Sequence, residues 1–311
     1  MNKEIYYGYI VRGDLHGAIN YVKQFPEQAA LYDRFLAIFD REQYISYEVN
    51  DILNDILIIY QQYYRDVFYL CMGKEQAAAK LRDRLAERIG IADKEMELWD
   101  LEQHQLPELF QRQGLHFMGG RTGGYYGSYI WRTTEIVSYD VELPDGIQTC
   151  SVKLLDGFIA RSWADYLSFG EIGSGGWADR DGFVNCVKSA WDFESESFRI
   201  SLLKHEARHV RDLQANQEMS SQDLEYRAKL VELIYSSERN LLLTFAQEAD
   251  SEDKSNGHAM AAYRIVQGFS AAMGAEGIDF AAIPMEKIQT VARELFEKSE
   301  KDMVNNREAK K

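Results

Sequence analysis

The chain is short of cysteine, of basic charge and of long apolar runs, and each shortage closes off a class of function. Its three cysteines, Cys71, Cys150 and Cys186, are scattered over 311 residues without a CxxC pair. Such a set builds neither a disulfide framework nor a thiolate zinc site, and it fits a reducing, cytoplasmic setting. Lys and Arg number 35 against 50 Asp and Glu, a formal net charge of −15. Without a cationic excess to neutralise phosphates, nucleic acid and anionic membrane surfaces are excluded as partners. The most apolar stretch, Ile56 to Tyr60 and Val67 to Met72, is broken by Gln61, Gln62, Arg65 and Asp66. It falls well short of the roughly 20 apolar residues a bilayer requires. The first residues, Met1-Asn2-Lys3-Glu4 before Tyr6 and Tyr7, lack the positive flank, apolar core and cleavage site of a signal peptide.

What is present divides into three compositional regions. Residues 1–114 read as a helical module: Leu31, Phe35, Leu36 and Phe39 mark one apolar face and Ile52, Ile56, Ile59 and Tyr60 another, with Gly13-Asp14, Pro26, Gly73 and Gly90 as punctuation. Tyr7 to Pro26 has the character of one helical-hairpin repeat, but no second copy follows at a fixed period, so a helical bundle is expected. This module is a candidate surface for a protein partner. Twelve of the 22 glycines then fall between Gly119 and Gly182 among β-prone residues. Leu143-Pro144-Asp145-Gly146-Ile147 reads as a turn between two strands. Residues 115–193 are therefore expected to form a small, mostly antiparallel sheet, 194–296 to be helical, and 297–311 to be a charged tail whose end frays. The whole is an α+β chain with an extra helical module, divided at 114/115.

The chemistry is concentrated in His205-Glu206-Ala207-Arg208-His209. Ile200, Leu203, Ala207, Val210 and Leu213 recur at helical spacing around it, which places the motif on an amphipathic helix. On a helix, positions four apart share a face, so both imidazoles reach one metal ion with Glu206 beside the open coordination position. Zn²⁺ held by two imidazoles and a carboxylate keeps a water and brings its pKa toward about 7, where a neighbouring carboxylate can take the proton. That chemistry hydrolyses amides.

A third ligand is expected on the next helix, which Ser220-Ser221-Gln222-Asp223 would cap. Measured from the turn, His209 lies about seven residues back and Glu225 about five forward, roughly 10 and 7 Å along antiparallel axes. Glu225 is accordingly the assigned ligand; Glu232 is placed past the histidine pair, and Glu218 and Asp223 too near the turn.

With Leu202 to His209 and Leu224 to Ala228 as its two halves, the site resembles that of the gluzincin-type zinc metallopeptidases, which pair HExxH on one helix with a glutamate ligand on the next. The resemblance covers about thirty residues closely. It implies His205, His209 and Glu225 as zinc ligands, Glu206 as general base, a zincin-like helical hairpin packed on the sheet, and a peptide or protein substrate. It also implies an edge strand that binds substrate backbone, for which Gly175, Gly176 and Trp177 are candidates, although a glycine turn fits them as well. By the same analogy His258 or Tyr263 would stabilise the oxyanion. In the thermolysin-like pattern an acidic residue four positions after the glutamate ligand orients a histidine; Lys229 stands there in this chain. Asp212 becomes a candidate for that task, with a solvated surface aspartate as the plainer alternative. A non-catalytic binding or regulatory protein, with a degenerate or structural HExxH site, is the competing reading.

Overall fold

The computed structural model describes residues 1–311 except 94, 180, 253, 255, 275–277, 310 and 311, and gives only the backbone path for 304–309. It is a mixture of helices and small antiparallel sheets, an α+β chain. No helix among the described residues is long and apolar enough to cross a membrane.

The chain packs as two compact units, residues 1–134 with 155–174, and 135–154 with 175–311. A division at 114/115 was expected, with the whole β-rich section in the second part. That section is instead shared between the units, because strand pairing is decided by partners far apart in sequence. The first unit is mainly helical, its core built around Phe35, Phe39, Ile56, Tyr60 and Phe110. Helices Lys3–Val11 and Leu15–Val22 form a hairpin at Gly13, whose φ of +71° only glycine adopts without strain, and Asp14 caps the second helix by accepting from the Gly17 N–H. A three-stranded sheet, in the order His116–Met118, Tyr129–Trp131, Ala160–Arg161, belongs to this unit, as does the two-stranded ribbon Arg121–Thr122 with Tyr125–Tyr126.

The second unit carries the motif. Its sheet has strands β1 (Thr133–Leu143), β2 (Gly146–Asp156), β3 (Gly176–Ala178) and β4 (Phe183–Val187), in the order β1-β2-β4-β3. The expected turn at Pro144-Asp145 joins β1 to β2. Helices α1 (His205–Ala215), α2 (Ser221–Tyr235), α3 (Leu241–Glu248), α4 (Gly257–Met273) and α5 (Met285–Ala309) follow. Helix α1 packs on β3 and β4 on one side and on α2 on another, and α2 in turn on α4 and α5. Val152, Val184, Cys186, Leu230, Val231, Ile265 and Phe269 fill the core between these layers, each fully buried. Cys150 and Cys186 are free thiols within it, pushed up to about 11 and about 12 by burial. The charged tail corrects an expectation: the backbone from Glu297 stays helical to Ala309, so α5 spans it, while residues 310 and 311 lie outside the described residues.

Candidate metal centre

A continuous α-helical stripe was predicted through Ile200 and Leu203. The backbone instead follows a wide π-helical path over Phe198–Lys204 and turns α-helical only at His205. Leu202 is thereby buried beside Leu203, and the motif opens the α-helical stretch. Helix α1 ends at Ala215, Ser220 caps α2 by accepting from the Asp223 N–H, and the short turn between them folds the two helices into a hairpin.

That hairpin brings three ligand atoms together. The Nε2 atoms of His205 and His209 are 3.0 Å apart. Oε2 of Glu225 lies 3.3 Å from His205 Nε2, and Oε1 lies 3.4 Å from His209 Nε2. Among the described residues these three are the group of His, Cys, Asp or Glu side chains whose ligand atoms lie within 4.8 Å of one another.

The donor chemistry fits a divalent cation. Glu225 Oε2 is buried and accepts no hydrogen bond among the described residues, although it stands at ion-pair distance from two imidazoles, and His209 Nδ1 is likewise buried without a partner. The two Nε2 atoms are at hydrogen-bond distance from each other, and Glu225 turns an unpartnered oxygen toward the same point, so the three donors converge on one centre. Separations of this size are those of ligands held about 2.0–2.2 Å from one tetrahedral ion. Two imidazoles and one carboxylate, with no thiolate, form a donor set for a divalent transition metal.

The electrostatics match. Burial lifts the Glu225 carboxyl, but the hydrogen-bonding and charge of His205 and His209 outweigh it and hold the group far below the usual carboxylate range. Burial opposes a charged His205, yet Glu232, Glu225 and Glu206 together raise it well above the ordinary histidine value. Three carboxylates thus surround two imidazoles, an excess of negative charge for a cation to neutralise.

Glu232 is the residue that sequence reasoning missed. Its Oε1 lies 2.7 Å from His205 Nδ1, both side chains being buried, so it fixes that ring with Nε2 facing the centre. The candidate for this task was Asp212, and the structure corrects it on both readings. Asp212 is neither the histidine's partner nor solvated; it is 1% exposed and takes two hydrogen bonds from Arg208 (3.0 and 2.7 Å) and one from Arg227 (2.7 Å). Arg208 also donates to Asp145 in the β1–β2 turn, and Arg227 to Ser299 and Glu300 on α5. Both guanidinium groups lie over the Phe296 ring. This network ties α1, α2, α5 and the hairpin turn into one body behind the histidines.

Of the other candidates, His258 is brought to the centre and Tyr263 is not. His258, in the first turn of α4, places Nδ1 3.1 Å from Glu225 Oε2. Its pKa is lowered, first by burial and then by Lys229 and His205, against the pull of Glu225 and Glu248. The Tyr263 hydroxyl accepts from Gln267 Nε2 at 2.9 Å and faces a cavity of about 1170 Å³, whose lining includes Tyr226, Arg264 and Met303 but neither motif histidine. Tyr263 thus lines a different cavity from the motif histidines. Glu206 is buried next to His205.

Residues 176–178 form β3, the last strand in the sheet order, antiparallel to β4 and packed on α1. The glycines beside it serve the protein's own packing. A Cβ at Gly176 would lie 2.6 Å from the Asn185 carbonyl oxygen and from Leu202, and one at Gly175 would lie 2.9 Å from Trp191. Close approach at these positions is thus already taken up inside the unit. Trp177 opposes Asn185 across the pair.

Comparison of the chain with models of protein families, with curated proteins and with solved structures finds no match in any of the three.

Proposed function

We propose that the chain is a zinc-dependent hydrolase of peptide bonds, with a zincin-like centre of His205, His209 and Glu225 and with Glu206 as general base. The observation that supports this best is the convergence of three ligand atoms within 4.8 Å of one another, one of them on a carboxylate with an unpartnered oxygen, next to the carboxyl group of Glu206, which is not among the ligands. A structural site would close all four positions with side chains buried in the core; here the mutually close group holds three, and the next imidazole, His258, is 56% exposed.

An ion bound there supplies a more acidic water and a polarised carbonyl. The chain supplies the rest. His205 is held in one orientation by Glu232, so its Nε2 faces the centre. Glu206, adjacent in sequence, takes the proton from the attacking water and returns it to the leaving amine. Strand β3 offers an extended backbone at the end of the sheet, next to α1, for a peptide to lie along. His258 stands at the outer oxygen of Glu225, where an imidazole can face the developing oxyanion.

Glu206→Gln keeps the shape and the ligands and removes the base. Zinc should remain at one equivalent while hydrolysis of a mixed peptide library falls by about 10²–10⁴-fold, the usual worth of a positioned base. Undiminished hydrolysis in that variant would refute the mechanism, and failure of wild-type protein to hold zinc after metal-replete purification would refute the site.

A further inference from the structure

One side chain occupies the solvent-facing flank of the centre. The side chains of His205 and His209 are each 9% exposed and that of Glu225 13%, whereas His258 is 56% exposed. A fourth coordination position that opens toward solvent therefore opens on the side from which His258 comes. Its Nδ1 is 3.1 Å from Glu225 Oε2, closer than either motif histidine stands to that carboxylate, and this contact too lacks hydrogen-bond direction. The ring lies within 13° of parallel to His205, with centroids 6.4 Å apart.

Among the described residues, Glu225 is the carboxylate at ion-pair distance from the ring. Glu225 and Lys229 on α2, Glu248 on α3 and His205 on α1 are the charged or titratable groups acting on it. Lys229 donates to Glu248 at 2.7 Å, so that pair is mutually neutralised. The backbone beneath the ring is fixed, because Asn256 caps α4 by accepting from the Ala259 N–H. A side chain this exposed on a fixed backbone changes rotamer at little cost.

We propose that His258 is a displaceable fourth ligand, whose Nδ1 closes the outward coordination position of the resting centre. This rests on the reading of His205, His209 and Glu225 as a metal site and adds a regulation to it. A fourth tetrahedral donor must lie about 3.3–3.4 Å from each of the other three. Nδ1 is 3.1 Å from Glu225 Oε2 and lies outside the group of mutually close ligand atoms, so closing the position requires the ring to swing toward the two Nε2 atoms. The most exposed of four ligands is the one an incoming carbonyl displaces, which leaves the imidazole beside the substrate oxygen. The capped state holds the ion without leaving a water to attack indiscriminately.

The test counts imidazoles around zinc by X-ray absorption on the zinc-loaded full chain, whose outer-shell scattering distinguishes histidine from oxygen ligands. Three imidazoles in the wild type and two in His258→Ala support the proposal. Zinc bound through two imidazoles in the wild type overturns it while leaving the metal centre intact. A wild-type chain without zinc overturns both the proposal and the centre on which it rests. Because the wild-type count decides on its own, the outcome does not depend on how the variant folds.

Discussion

The hairpin of α1 and α2 carries two buried polar clusters, and they are built on opposite principles. On one face Arg208, Asp212 and Arg227 meet with Asp145, Ser299 and Glu300, and each guanidinium is matched by carboxylate or hydroxyl oxygens in hydrogen-bond geometry. On the other, His205, His209 and Glu225 come as close together while leaving Glu225 Oε2 and His209 Nδ1 without partners. Alternate positions of one five-residue motif feed both clusters. Buried groups left unsatisfied normally cost about 1–3 kcal/mol each, a cost that a bound ion would offset in the second cluster and that the first does not bear. The saturated cluster is a fastener, and the open one is, on the proposed function, a receptor for a cation.

The largest effect that can break this contrast is expected in the fastener. Asp212→Ala removes the carboxylate shared by two arginines that are each 2% exposed, and removing one member of a buried ion pair costs about 3–5 kcal/mol. Chemical denaturation should show a loss of that size. A loss below about 1 kcal/mol would mean that the network is not saturated by Asp212.

A buried carboxyl whose desolvation the charge of Arg121 does not offset extends the contrast into the first unit. Glu102 is 1% exposed, accepts from the Tyr60 hydroxyl at 2.6 Å and leaves Oε2 unpartnered; burial pushes it up to about 7. The folded state then binds the proton more tightly than the unfolded chain, whose carboxyl titrates near 4.5. Stability from this group is full below pH 4.5 and is lost as the pH rises to 7, by about 3 kcal/mol in all. Unfolding of the wild type followed across that window should show the decline and Glu102→Gln should flatten it; parallel curves would contradict the assignment.

How much of this was legible in the sequence follows from which contacts are local. The motif helix, its turn and the Ser220 cap were readable because four-residue spacing and a capping pattern act within a few residues. Asp212 was not, since its burial depends on Arg227 on the next helix and, through that arginine, on α5. The sharing of the β-rich section between two units was invisible for the same reason, as was the π-helical path over Phe198–Lys204. Glu232 is a different case, because the sequence did hold its signal. It was expected past the histidine pair, which holds for His209 and not for His205. His205 lies one turn further from the bend, about 17 Å back, and Glu232 about 18 Å forward, so the rule that selected Glu225 for His209 also selects Glu232 for His205.

That pairing gives the smallest effect and the sharpest discrimination. Glu232→Gln keeps the bulk and an acceptor oxygen for His205 Nδ1 but removes the charge, and loss of a carboxylate behind a metal-bound imidazole weakens metal binding about 10–100-fold. Zinc affinity measured by chelator competition should fall within that range. Stability of the metal-free protein should change far less than in Asp212→Ala, because Glu232 serves the open cluster and not the fastener. Were Glu232→Gln to destabilise the metal-free fold as much as Asp212→Ala while sparing zinc affinity, the two clusters would be one structural network and the division between fastener and receptor would fail.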